Sequence, residues 1–386
     1  MDWILECSAC QATRGPEGLP TVCQCGQPWL VRYPDRRYAS APDIARHGIG
    51  IWRFHEWMPV VPGEAPVSLG EGNTPLLPIP RTGARIGLPD LWTKDESTNP
   101  TGSFKARGLS AAITRAAAGG ARQFVVPTAG NAGVAASAYA ARAGLPVRVY
   151  APASTPERIL TQIRLFGGDL VTLEGHIGDC GRAARGWAAE SGAFDLSTLR
   201  EPYRIEGKKT LGLEIAEAFG WTLPSAIFYP TGGGTGLIGM WKAFGELAAA
   251  GWIRGPLPRM YSVQSSGCAP IVRAFDLGHD HAAPWIDPWT VASGLRVPAP
   301  LGDRLILRAL RESGGAAIAV SDQDLTERAR EISATEGIDL SPEGGAAFQG
   351  ARMALQRGLL SDRDRVLVFN TGSGWLYRGA SDLPSR

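Results

Sequence analysis

Four short segments place chemically useful groups beside glycines. In Ser103-Phe104-Lys105-Ala106-Arg107-Gly108 the lysine opens what reads as a helix. A helix N-terminus disfavours a cation, so this setting lowers the amine's pKa and favours the neutral form that attacks carbonyls. Pro230-Thr231-Gly232-Gly233-Gly234-Thr235-Gly236 lies between a strand and a helix. Its consecutive glycines let several backbone N–H groups point into one concavity, and the helix behind adds partial positive charge, which makes a phosphate cradle. It is not a Walker loop, since no Gly-Lys-Ser/Thr is present, and the acid of a dinucleotide fingerprint is missing. Thr128-Ala129-Gly130-Asn131-Ala132 offers backbone N–H groups to a carboxylate and the Asn131 amide to a ring oxygen; an ordinary N-cap by Asn131 is the alternative. Phe369-Asn370-Thr371-Gly372-Ser373-Gly374 offers hydroxyls to a ring nitrogen, or is a simple turn. Each segment alone fits an ordinary turn. Together, an imine-forming amine, a phosphate cradle, an amide donor and a hydroxyl donor are what a phosphorylated pyridine aldehyde requires. Lys105 is therefore expected to carry pyridoxal phosphate as a Schiff base.

These segments need a scaffold that ends strands in glycine-bearing loops. The pattern supplies one. Short apolar strands are expected at 123–127, 146–150, 169–173, 226–230, 260–264 and 365–369. Helices are expected at 109–118, 132–143, 156–166, 179–191, 208–219, 237–250, 322–336 and 344–357. This rhythm predicts parallel sheets covered on both faces, with ligands bound where strands end. Thr155-Pro156-Glu157 reads as a hydroxyl N-cap, a first-turn proline and a first-turn acid. The proline-bearing stretch after 264 reads as looser.

Length and composition allow this. The chain has 386 residues, room for two or three units at roughly 100–200 residues each. Hydrophobic residues make up 44% and charged residues 20%, and the formal net charge is +2. That balance favours a packed core and gives no basic patch for nucleic acid or an anionic membrane. No apolar run spans a bilayer, and the first residues lack the pattern of a secretory signal, so a cytoplasmic enzyme is expected. The five histidines form no recognisable triad.

The four segments, with Ser68-Leu69-Gly70-Glu71-Gly72-Asn73-Thr74-Pro75-Leu76 and Tyr203-Arg204-Ile205-Glu206-Gly207-Lys208-Lys209-Thr210, resemble pyridoxal-phosphate enzymes of the tryptophan-synthase-β, or type II, fold. Within that fold the chain resembles the threonine synthases. The resemblance implies two α/β domains, each containing a parallel sheet, with the cofactor between them, plus an N-terminal extension. Residues 66–95 and 205–386 would form the large cofactor-binding domain, 96–204 a small mobile domain, and 1–65 the extension. Lys105 would bond the cofactor, Asn131 its ring 3-oxygen, Gly232, Gly233, Gly234 and Thr235 its phosphate, and Thr371 its ring nitrogen. Thr128, Gly130 and Asn131 would grip the substrate carboxylate, and Arg204 would clamp an anion. The implied reaction is conversion of O-phosphohomoserine and water to threonine and phosphate, in a homodimer. The freed Lys105 would move the protons.

Three departures leave a second reaction class open. Ala129 and Ala132 stand where the family pattern Ser-Thr-Gly-Asn-Thr carries hydroxyls. Ala106 replaces an aspartate. Leu199 and Glu201 occupy positions expected to bind phosphate. The alternative is β-elimination or β-replacement on serine, threonine or O-phosphoserine. Lys208 fits either a second anion ligand or a surface role. Glu343, in Ser341-Pro342-Glu343-Gly344, lies near where relatives place an acid by the ring, but the order differs and it is not assigned. Cys7, Cys10, Cys23 and Cys25 approximate a zinc-ribbon pattern, one residue short in the second pair. That shortfall favours reduced, metal-free cysteines, with structural zinc as the alternative, and no metal is assigned to the active site. The aromatic run 52–57 is expected to pack against the body.

Overall fold

The computed structural model describes residues 2–36 and 50–378. Residues 37–49 of the expected extension, like Met1, lie outside the described residues. Strands β1 (Ile4–Cys7), β2 (Thr13–Arg14) and β3 (Trp29–Arg32) form a small antiparallel sheet in the order β2-β1-β3. Strands this short carry too little periodicity to be read from sequence. The aromatic run forms a 3-10 helix, Gly50–Trp57, with Phe54 and Trp57 fully buried. The Trp57 ring meets Trp252 edge-on at 4.9 Å, so the run packs against the body as expected.

The chain then forms β4 (Leu76–Pro78), α1 (Pro80–Ile86), β5 (Leu91–Asp95) and α2 (Lys105–Ala118). Next come β6 (Phe124–Pro127), α3 (Asn131–Arg142), β7 (Val147–Pro152), α4 (Glu157–Leu165), β8 (Asp169–Leu173), α5 (Ile177–Ser191) and β9 (Phe194–Asp195). These four strands make a parallel sheet in the order β8-β7-β6-β9. Helix α6 (Tyr203–Ala218) leads back into β10 (Ala226–Pro230), α7 (Thr235–Ala249) and β11 (Arg259–Ser265). Then follow α8 (Pro270–Asp276), α9 (Asp303–Glu312), β12 (Ala316–Val320), α10 (Asp322–Glu336), α11 (Pro342–Gln356) and β13 (Val366–Asn370). The larger sheet runs β12-β11-β10-β13-β5-β4, parallel except for β4 against β5. Every residue of β10 and β13 is buried, as expected for strands covered by helices on both faces.

The expected α/β class is therefore observed. Three elements, α8, α9 and β12, occupy the stretch read as loose. Its prolines do not break them, because Pro270 sits in the first turn of α8, where a missing N–H costs no helical bond. The predicted cap at Thr155 is a correction: Pro156 holds the cap position, and the Thr155 hydroxyl is buried without a partner. Strands β10, β13 and β5 are neighbours, so the loops leaving their C-terminal ends lie side by side. All three loops carry segments singled out above.

Candidate active site

Lys105 is the first residue of α2, as the sequence suggested. The loop before it is tied to the loop after β13: the Phe104 N–H donates to the Thr371 carbonyl at 3.0 Å, and the Ser373 N–H to the Gly102 carbonyl at 2.8 Å. The Lys105 ammonium lies 4.1 Å from the centre of the Phe104 ring and makes no ion pair among the described residues. Burial, helped by the nearby Arg204 charge and opposed by Glu343, lowers its pKa to about 8. Desolvation thus does most of what was expected of the helix dipole.

Beneath the lysine lies a buried ion network that the sequence did not reveal. The fully buried Arg107 guanidinium donates from Nε to Glu96 Oε2 at 2.7 Å and from Nη1 to Glu214 Oε1 at 2.7 Å. Its Nη2 donates to Glu96 Oε1 and Glu214 Oε2, both at 2.8 Å. Lys94 also donates to Glu214, at 2.7 Å. The network joins α2, α6 and the end of β5, and so holds the turn that carries Lys105. A single Arg two residues after the lysine gives no hint of acids 11 positions back and 107 ahead.

The glycine loop after β10 is shaped as a cradle. Gly234 has φ +73° at the N-cap of α7, a left-handed conformation that favours glycine. A Cβ there would also lie 2.3 Å from Ile306, and one at Gly232 would lie 2.2 Å from the Gly294 carbonyl oxygen. The first amides of α7 have no helical acceptor by geometry, which leaves N–H groups at this end for an anion. Thr235 is buried at the first position of the helix.

Opposite, Asn131 opens α3, but Gly130 is the N-cap, and the first-turn amide of Gly133 is taken by Thr128 rather than by Asn131. The plain capping role for Asn131 is thereby excluded. Its Nδ2 donates to the Tyr377 hydroxyl at 3.2 Å, and its Oδ1 is buried without a partner. Thr128 is committed to its own loop: its Oγ1 accepts from the Gly130 and Gly133 amides, each at 3.1 Å, and donates to the Gly130 carbonyl at 2.8 Å. Thr371 is buried beside Phe104, with no protein acceptor for its hydroxyl among the described residues.

Sequence reasoning missed three groups here. Glu343 is buried near the start of α11, and its Oε1 accepts from the Gly294 amide at 2.8 Å while Oε2 has no partner. Burial raises its pKa. Tyr377 faces both Glu343 and Asn131. The Ser293 hydroxyl is buried and unpartnered, 3.4 Å from where a Gly130 Cβ would stand. Only the position of Glu343 carried any prior signal.

At the start of α6, Arg204 is buried and its Nε donates to Glu201 Oε1 at 3.0 Å. Glu201 also accepts the Tyr203 and Arg204 amides, both at 2.9 Å, so it caps and orients this turn. Leu199, with φ +64°, packs into the core of the larger sheet. Lys208 is fully buried and its ammonium contacts the Phe104 carbonyl, which rules out the surface role. Burial, then the Lys105 and Arg204 charges, hold its pKa far below the ordinary lysine value.

These residues fit pyridoxal phosphate. The chain carries an amine with no ion pair among the described residues, a buried side-chain amide at Asn131, a buried hydroxyl at Thr371 and a glycine loop too closely packed to admit a Cβ at Gly232 or Gly234. The family model of pyridoxal-phosphate dependent enzymes matches residues 67–372. The chain is 30% identical over 375 residues to a threonine synthase of Methanocaldococcus jannaschii, covering 96% of this chain and 92% of that protein. It is 32% identical over 323 residues to a threonine synthase of Methanosarcina acetivorans, covering 83% and 79%. A pyridoxal 5'-phosphate-dependent aspartate racemase superposes with a TM-score of 0.68 at 20% identity, covering 81% of this chain and 92% of that one, which attests the fold.

Proposed function

Since the chain belongs to the pyridoxal-phosphate dependent enzyme family, and its relatives over most of its length are threonine synthases, we propose that it converts O-phosphohomoserine and water to threonine and inorganic phosphate. The observation that supports this reading is the buried Lys105 amine, which has no ion pair among the described residues and lies within the field of Arg204. Bound pyridoxal phosphate supplies the electron sink that acidifies substrate C–H bonds near the amine.

The chain's own residues supply the rest. Lys105 would hold the cofactor through Nζ, the amides of Gly232, Gly233, Gly234 and Thr235 would hold its phosphate, and the Asn131 amide would meet its ring 3-oxygen. Thr371 would offer the ring nitrogen a hydroxyl, which would not force protonation there. Once substrate is bound, Lys105 is free to take and return protons, and a pKa of about 8 keeps part of it neutral near pH 7. Backbone groups at Thr128 and Gly130, with Asn131, grip the substrate carboxylate. The Thr128 hydroxyl itself shapes that loop rather than reaching substrate. Arg204, oriented by Glu201, faces the leaving phosphate.

We assign the two parallel sheets to two units, 66–95 with 205–386 and 96–204, the second closing over the substrate. We also place the enzyme in the cytoplasm as a homodimer. Among the described residues no helix is long and apolar enough to cross a membrane. The substrate is a small phosphorylated amino acid, with no nucleic-acid or membrane partner.

Two observations favour the second reading, β-elimination or β-replacement on serine, threonine or O-phosphoserine. Ala129 and Ala132 supply no hydroxyl for a phosphate, and Arg204 is already ion-paired. Incubation with O-phosphohomoserine should release phosphate and threonine in equal amounts. Ammonia and a 2-oxo acid from threonine or serine, without phosphohomoserine turnover, would overturn the first reading in favour of the second.

A further inference from the structure

The described chain before Gly50 is short. It covers residues 2–36, with strands of two to four residues. Segments below about 40 residues rarely bury enough apolar surface alone and usually need a metal, a disulfide or a partner surface. Four cysteines lie at its turns, and their four sulfurs fall within 4.8 Å of one another. Cys7 and Cys25 sulfurs are 3.4 Å apart, and Cys10 and Cys23 sulfurs 3.7 Å apart. A disulfide requires about 2.05 Å, whereas four thiolates around one zinc at about 2.3 Å stand about 3.8 Å from each other.

The backbone supports the same arrangement. The amides of Ala9 and Cys10 approach the Cys7 sulfur, and those of Cys25 and Gln27 approach Cys23 and Cys25. The Cys23 N–H closes a turn on the Gln27 carbonyl at 2.9 Å, with Gly26 at φ +81°. This tight turn brings the second pair together with one intervening residue, so the short spacing that argued against a metal in the sequence is accommodated by the fold.

The cluster also touches the active-site wall. Cys7 and Cys23 belong to one buried apolar cluster with Trp3, Trp29 and Tyr203. Tyr203 opens α6 and precedes Arg204. Its hydroxyl donates to the Pro16 carbonyl at 3.3 Å, in the loop that joins β2 to Cys23. The Gly18 carbonyl lies against the end of α2, 2.6 Å from where a Gly119 Cβ would stand. Arg115 of α2 lies over both Trp3, at 5.1 Å, and Tyr203, at 5.7 Å.

We propose that Cys7, Cys10, Cys23 and Cys25 bind one structural Zn²⁺, and that this site holds the loop 15–22 against Tyr203 and so buttresses the turn carrying Arg204. Four thiolates leave the metal no open position, so its part is mechanical. The test uses full-length holoenzyme purified without chelator from zinc-replete cells, assayed by elemental analysis. One zinc per chain is expected, lost in the Cys10→Ser/Cys25→Ser double variant, which changes the two exposed cysteines. If that variant does not fold, thiol modification of the wild-type protein with a colorimetric zinc indicator gives the same answer, with one zinc released per chain. Absence of zinc, whether iron, disulfides or free thiols take its place, overturns the site. For the buttress, hydrogen exchange across 200–208 should quicken at least tenfold when the metal is removed. Unchanged exchange there, with zinc bound in the wild type, overturns the coupling.

Discussion

Replacing Arg107 by methionine tests whether the buried network positions the lysine turn. The substitution keeps much of the side chain's length and removes five N–H donors that serve Glu96, Glu214, Thr74 and Thr210. Glu214 keeps Lys94 at 2.7 Å, so Glu96 is the carboxylate left without a cation within ion-pair distance. Removing one partner of a buried pair costs about 3–5 kcal/mol. With about 2.1 cal/mol/K of unfolding entropy per residue over 386 residues, that is a fall in Tm of about 4–6 °C. The pH dependence gives the sharper check. In the native protein Arg107 holds the Glu96 pKa low, so its contribution is present above the unfolded value of about 4.3 and lost as pH falls through the folded value. In the variant, burial without Arg107 raises the Glu96 pKa, so the penalty is full at high pH and fades as the group protonates. Between pH 5 and 8 the native contribution is constant, so the protonation of Glu96 in the variant alone makes the Tm gap widest at pH 7–8 and narrower toward pH 5. Thermal scans of both proteins across that range decide it. A gap below about 1 °C throughout, or one that is constant with pH, refutes the account.

Reconstitution of the apoenzyme with pyridoxal phosphate should speed up about tenfold from pH 6 to 7 and level off above pH 8, following the neutral fraction of Lys105. A flat stopped-flow profile counts against a buried amine. Gly234→Ala forces a Cβ onto Ile306 in a left-handed turn and should weaken cofactor affinity by roughly tenfold to a hundredfold at a strain of about 1–3 kcal/mol; unchanged titration would remove the loop from the cofactor site. Arg204→Met should raise KM for the phosphorylated substrate by at least tenfold while leaving cofactor absorbance intact, since its loss removes a charge-assisted contact worth about 1.5–3 kcal/mol. An unchanged KM would show that Arg204 serves only Glu201 and the Leu196 carbonyl.

The chain's own order of residues determined the fold class and singled out the proposed cofactor loops. Strand and helix signals are local, so the β6, β10 and β13 strands and their glycine loops are legible wherever apolar runs end in Gly and Asn. Lys105 was legible too, because its helix start and its neighbours are contiguous. Helix α9 and strand β12 were not, since the prolines before them obscured the pattern. The tertiary structure decided what distant residues do to each other. It buried Lys208 and gave Glu201 to the Arg204 turn. It put Glu343 and Tyr377 beside Asn131, and gathered four cysteines whose spacing alone pointed away from a metal. Each of these depends on desolvation and on charges from separate segments, and neither is encoded in any single stretch of sequence.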